Sequence, residues 1–220
     1  MTAFATLDGV PVLRGTLALP RRGAWSASLV LDTDTPPTGA VTLVTDEGAV
    51  TYRGTVVRAR EVYGRVEVLL VGGAGRLATV LPPRRYLTTP ARLVWQDLLS
   101  EAGEAASATS DATLLATQLP SWTRLRGQAG DALARLGAAL GAAWRVRLDG
   151  TVQLTAAEAS EATSRQGDQQ LDAQPADASA LYALARLDLE PGQLLDGRRV
   201  SHLVHEIDAG SIRSKVWFDG

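Results

Sequence analysis

Short apolar runs recur through residues 9–82, separated by turn formers, and this pattern predicts consecutive β-strands. The runs are Val10–Leu19, Trp25–Leu31, Ala40–Thr45, Val50–Ala59 and Arg65–Val71. Trp25, Ala27, Leu29 and Leu31 alternate with Ser26 and Ser28, and Val66, Val68 and Leu70 alternate with Arg65, Glu67 and Leu69. Alternation of this kind sends apolar side chains to one face of a strand. Breakers fall between the runs at Pro20–Gly23, Asp32–Gly39, Asp46–Gly48 and Gly72–Gly75, so a small antiparallel barrel or sandwich is expected.

After Pro90 the period changes. Leu93, Val94, Asp97, Leu98 and Glu101 fit a helix from about Ala91 to Gly103, and Ala105–Asp111 reads as a loop. Trp122, Leu125, Ala129, Leu133, Leu136, Leu140 and Trp144 share one helical stripe, which predicts a long helix opened by Pro120 and capped by Ser121. Its glycines imply close approach of another backbone. A hairpin follows. A three-residue loop, Leu148-Asp149-Gly150, pairs Val146 with Val152 and Trp144 with Leu154, whereas a two-residue loop mixes the faces. Arg145 and Arg147 then share a face with Thr151 and Gln153. Residues 156–180 are rich in Ala, Glu, Ser, Gln and Asp and are expected to be a flexible loop or linker. Strand patterns return at Leu181–Leu189, Arg199–Ile207 and Ser211–Phe218.

The expected organisation is a β-barrel domain over 1–90, a helical insertion ending in a hairpin over 91–155, the linker over 156–180, and a closing β region over 181–220. The fold class is mainly β with a helical insertion (α+β). No short-period repeat is visible. The chain has no cysteine, which excludes disulfides and thiolate chemistry. No signal peptide and no apolar stretch long enough to span a membrane is read in it. Net charge is −2, split as +3 over residues 1–90, zero over 91–150 and −5 over 151–220. That balance argues against a nucleic-acid binder, despite the doublets Arg21-Arg22, Arg84-Arg85 and Arg198-Arg199.

Candidate chemistry is sparse. His202 and His205 lie three apart in a strand pattern, so their rings point to opposite faces and share no metal. Gly72-Gly-Ala-Gly75 lacks the lysine and spacing of a phosphate loop. The acid pairs Asp32/Asp34, Asp46/Glu47 and Glu206/Asp208 sit in turns or strand ends, where solvated carboxylates are expected. No catalytic, cofactor or metal residue is assigned. The candidates that remain are aromatic. Trp217 and Phe218 alternate on a terminal strand, one facing a core and the other outward, so the strand is a candidate for edge pairing with a second chain, with core packing alone as the alternative, and Trp25 joins them as a candidate subunit-interface residue.

Three stretches resemble the baseplate hub family of contractile phage tails, related to the hub part of type VI secretion spikes. They are Thr51-Tyr-Arg-Gly-Thr-Val-Val57, the segment Trp122 to Gly150, and Pro191-Gly192 with Gly197–Asp208 and Ser211–Arg213. The resemblance implies tail-tube-like antiparallel barrels, two per subunit, in a trimer around a central channel. It implies a virion component without enzymatic activity or cofactor. Its partners would be the tail tube or distal tail protein, the central spike and the tape measure protein, with DNA only in passage. Residues 179–220 alone hold too few strands for a second barrel, so either earlier strands join it or it is reduced. If the acidic C-terminal third lines the channel, Asp177, Asp188 and Glu190 are candidate channel-lining residues. A rival reading is a carbohydrate-binding or adhesive module of a tail tip, with Trp25 or Trp217 as the sugar platform.

Overall fold

The computed structural model describes residues 5–45, 50–156, 161–165, 169–174, 179–183, 189–208 and 211–219, as backbone alone between 157 and 188. Six strands come first: β1 (Ala5–Leu7), β2 (Val10–Pro20), β3 (Ser26–Leu31), β4 (Ala40–Thr45), β5 (Val50–Val62) and β6 (Arg65–Gly72). They pair in the order β1-β4-β5-β6-β3-β2, and β2 returns to β1, which closes a six-stranded barrel. The alternation read in the sequence is the barrel's inside and outside. Ala27, Leu29, Leu31, Val66, Val68 and Leu70 are buried, while Leu69 is exposed.

Trp25 fills one end of this barrel. Its ring meets Tyr52 edge to face at 5.8 Å. A Cβ at Gly54 or Gly72 would lie 2.6 or 2.5 Å from the indole, so these two glycines form its slot.

The middle of the chain holds β7 (Val80–Leu81), β8 (Arg84–Pro90), α1 (Ala91–Ala102), α2 (Ala112–Ala116), β9 (Gln118–Arg124), β10 (Gly127–Gln128), α3 (Ala129–Leu140), β11 (Ala142–Val146) and β12 (Val152–Ala156). Helix α1 stands where the pattern places it. It buries Val94, Trp95, Leu98 and Leu99, and ends at Gly103 with φ +83°. The hairpin β11–β12 has the expected register, with Trp144 opposite Leu154 and Val146 opposite Val152. Gly150 takes the left-handed conformation, φ +82°.

The long helix predicted from Ser121 is corrected. Residues 118–124 form a strand that pairs with β8, setting Trp122 opposite Tyr86. Only Ala129–Leu140 is helical, and Gly141 at φ +61° ends it. The spacing arose because a strand, a helix and a second strand present apolar residues to one core in succession, with the exposed Leu125 falling between them by chance. Asp111, the last residue of the expected loop, caps a short helix that follows it, its carboxylate accepting from the N–H groups of Thr113 at 2.8 Å and Leu114 at 3.1 Å.

The last strands are β13 (Glu161–Arg165), β14 (Gln169–Gln174), β15 (Ser179–Ala183), β16 (Gln193–Leu195), β17 (Arg198–Asp208) and β18 (Ser211–Phe218). Strands β13 and β14 lie in the stretch expected to be a linker. These six pair in the order β13-β16-β17-β18-β15-β14. Counted within its own half of the chain, this is the order of β1 to β6.

The irregularities match as well. The β2–β3 ladder skips Leu13 and the β14–β15 ladder skips Leu171. The β5–β6 ladder skips Val57 and the β17–β18 ladder skips Ser201. In register with these bulges, Val68 pairs with Ala59 and Leu29 just as Val216 pairs with Leu203 and Ala180. The chain thus contains one six-stranded topology twice. The copies differ in two respects: β13 pairs with β16 in parallel where β1 and β4 are antiparallel, and no β13–β14 pairing occurs among the described residues.

Candidate functional site: the joint between the two units

Two structures join the units. The first is backbone. Strand β2 is long, and its edge opposite β3 serves two partners in turn. Val10 and Pro11 pair with β1, and Arg14 to Pro20 pair with β17 from Asp208 to His202. The sheet of the first unit therefore runs without a break into the second.

The second joint is the β11–β12 hairpin, wedged between the units. On one side its backbone continues the first unit. Gly23 donates to the Trp144 carbonyl at 2.9 Å, Val146 donates to the Gly23 carbonyl at 2.9 Å, and Arg53 donates to the Leu148 carbonyl at 2.7 Å. Trp25 Nε1 donates to the Arg147 carbonyl at 3.2 Å. On the other side the hairpin meets Glu190 and Pro191. Arg145 and Arg147 both face Glu190, at 3.4 and 3.0 Å. Arg145 also donates to the carbonyl oxygen of Pro191 and, at 3.1 Å, to Gln153 Oε1. Thr109 Oγ1 accepts from both Arg147 and Gln153 at 2.9 Å. Arg145, Gln153 and Glu190 are buried. Removing one member of such a network leaves a buried charge without its partner, which is expensive. Its role is to hold the two units in one orientation.

The sequence placed Arg145, Arg147 and Gln153 on one strand face but gave no reason to pair that face with Glu190. Glu190 was expected on a channel wall. Its carboxylate instead points inward to two guanidinium groups, and the residue is 6% exposed. Asp177 and Asp188 lie outside the described residues. Trp25 was expected at a subunit contact and is instead 1% exposed inside the first barrel, where Gly54 and Gly72 make room for it. Burial likewise removes it as a sugar platform. Phe218 is buried under the Arg198 guanidinium, 3.9 Å from its ring centre. Trp217 lies on the other face, half-buried, stacked on His202 at 3.9 Å with Lys215 4.9 Å from its ring.

The two histidines diverge as the strand period requires. His205 is fully buried, its Nδ1 is 2.6 Å from Ser214 Oγ, and burial lowers its pKa to about 4. Burial also lowers the pKa of His202. A second polar cluster braces α1 against β8 and β9. Glu101 accepts from buried Arg124 at 2.6 Å and from Arg84 at 3.0 Å, and these contacts, led by Arg124, hold its carboxyl below the usual range. Desolvation raises the Tyr86 hydroxyl beside them. Among the described residues, no three His, Asp or Glu side chains are grouped to hold a metal ion. No helix among them is long and apolar enough to cross a membrane.

No family model and no curated protein matches the sequence. Solved structures do match the fold. The 43 kDa tail protein of prophage MuSo2 from Shewanella oneidensis aligns over 98% of this chain and 96% of its own, with TM-score 0.68 and 10% identity. A tail protein from Neisseria meningitidis MC58 aligns over 98% and 96%, with TM-score 0.66 and 10% identity. The Escherichia coli c3393 protein aligns over 98% and 77%, with TM-score 0.71 and 9% identity. It is a type VI secretion component described as similar in structure to the T4 tail proteins gp27 and gp5. The fold of this chain is therefore the one seen in these two tail proteins and in the type VI secretion component. The resemblance read from three short stretches extends, as a fold, over nearly the whole chain.

Proposed function

We propose that this chain is a non-enzymatic structural hub of a phage tail baseplate. It forms a ring that adapts a hexameric tail tube to a trimeric central spike and surrounds the channel through which DNA passes. The observation that carries this reading is the repeated unit. A chain with two copies of one six-stranded topology, held at a fixed angle by the Arg145–Glu190–Arg147 wedge, offers six similar units in a ring of three chains. Three chains then meet sixfold symmetry on one face and threefold on the other. Its partners are further copies of itself, the tail tube or distal tail protein, the spike and the tape measure protein, and its place is the virion tail. The channel wall carries net negative charge from the acidic C-terminal third, with Asp177 and Asp188 as the residues to reverse.

The reading is tested by the mass of the purified chain in solution, alone and with tube and spike proteins. A trimer in either condition supports it. A monomer throughout contradicts it. The adhesive reading keeps only Trp217, and quenching of tryptophan fluorescence by glycans would favour it.

A further inference from the structure

The first unit carries an aromatic knob at one end and an apolar cleft at the other. Strand β5 outruns β4, which pairs with it only from Val50 to Thr55, and turns back into β6 through Tyr63 and Gly64. Both turn residues are left-handed, with φ +53° at Tyr63 and +75° at Gly64. Asn-Gly makes such a two-residue turn readily, whereas a bulky side chain at its first position is strained. Glu61 Oε1 holds the turn by accepting from the Gly64 N–H at 2.5 Å. The ring displayed at this cost is uncovered: Tyr63 is 99% exposed. Backbone strain that presents a bare aromatic side chain is the signature of an anchor for a partner. Glu61 lies opposite Val66 and Arg65 opposite Val62, in adjacent cross-strand pairs, so the two charges point to opposite sides of the arm. Both are exposed, an anion to one side of the tyrosine and a cation to the other.

The cleft lies at the Trp25 end. Helix α3, the Leu77-Ala78 segment and residues 22–24 enclose about 580 Å³, with Trp144 as one wall. Backbone bonds fix these walls: Gly130 donates to the Leu77 carbonyl at 2.9 Å, and Gly23 to the Trp144 carbonyl at 2.9 Å. The Trp144 ring lies 3.8 Å from the place of a Cβ on Gly130, and Ala134 and Ala138 add little bulk, so there is room for a ring beside it. Arg22 and Asp131 also line the cleft, both exposed, and neither has an ion pair among the described residues. From Gly54, beside Trp25, to Val62 the strand spans about 26 Å at the usual rise, so one chain does not fill its own cleft. We infer, resting on the ring reading above, that the cleft of one copy receives Tyr63 of the next. The ring packs against Trp144, Arg65 faces Asp131, and Glu61 faces Arg22, one anion and one cation on each surface. Knob and cleft are different surfaces, so the contact is head to tail, and such an interface generates a ring when the rotation closes.

The test is self-association of the full chain by light scattering over a dilution series, alone and with tube and spike proteins. Tyr63→Asn relieves the turn while removing the ring. The variant should unfold at the same temperature as the native chain or higher, measured at dilutions where both are monomeric, yet associate at least about tenfold more weakly. Arg65→Asp and Asp131→Arg should each weaken association as well, and the two together should restore it, since the charges are then exchanged across the contact. Native association by Tyr63→Asn, or no recovery in the exchanged pair, overturns this contact, and rings formed by those variants leave the hub reading standing. Unchanged self-association with weakened binding of tube or spike protein assigns the arm to a different partner and likewise overturns it. No association of the native chain under any condition overturns both.

Discussion

The two six-stranded units share a strand order and differ in nearly everything that fills it. The first closes on itself and is packed with apolar side chains, with Trp25 in the slot between Gly54 and Gly72. At the place of Gly54 the second unit has Arg198, whose guanidinium covers Phe218 from outside. The second unit buries His205 against Ser214 and depends on its neighbours for cover, on β2 along one edge and on the β11–β12 hairpin at Glu190. Topology is therefore preserved where packing is not. The first unit is built to stand alone, and the second is built to be held.

The largest expected effect tests the first unit's independence. Trp25→Ala removes its main filler and should cost about 3–5 kcal/mol in urea unfolding. Gly72→Ala presses a methyl into the same indole and should cost about 1–3 kcal/mol. The second unit's dependence is tested at the wedge. Glu190→Gln leaves Arg145 buried without its anion and should cost about 3 kcal/mol or more, lost from the second unit first by hydrogen exchange. An equal loss of protection in both units would break the comparison.

Acid should also separate them. His205 has an ordinary pKa of 6.5 when exposed and about 4 when buried, so below 6.5 the unfolded chain takes up a proton that the folded chain refuses. Its burial therefore lowers stability progressively as pH falls from 6.5 to 4, by on the order of 3 kcal/mol, with no further change from this group below that. His205→Leu should flatten that window in a pH series of unfolding curves, although the loss of the Ser214 contact lowers stability at neutral pH. The smallest effect is expected on the exposed β5–β6 arm. Arg60 and Glu67 pair at 2.6 Å but both are largely in solvent. Arg60→Ala should change stability by less than about 1 kcal/mol in the same assay.

Much of this fold was legible before any coordinates. The strands of the first unit, helix α1 and the register of the β11–β12 hairpin follow from local periodicity and from glycine at the turn, and local signals are what a sequence displays. The segment 118–144 misled because six of the seven apolar residues at helical spacing belong to two strands and a helix on one core, while the seventh, Leu125, lies between elements and is exposed. The segment 156–180 misled because its strands carry few apolar residues and pair with distant partners such as β16 and β18. The repeat was invisible because it lies in strand order and bulge positions, while the residues differ: His205 falls where Glu61 stands and Ser214 where Val66 stands. Trp25 was misplaced because nothing local marks Gly54 and Gly72 as its slot. Glu190 was misplaced because its arginines lie 43 and 45 positions away along the chain.

The most direct test of the central claim is electron microscopy of the assembled chain, viewed down its axis. Two copies of one unit per chain predict a closed ring with six similar lobes from three chains, alternate lobes being distinguishable at higher resolution. A ring with three lobes, or an open chain of copies, would contradict the account.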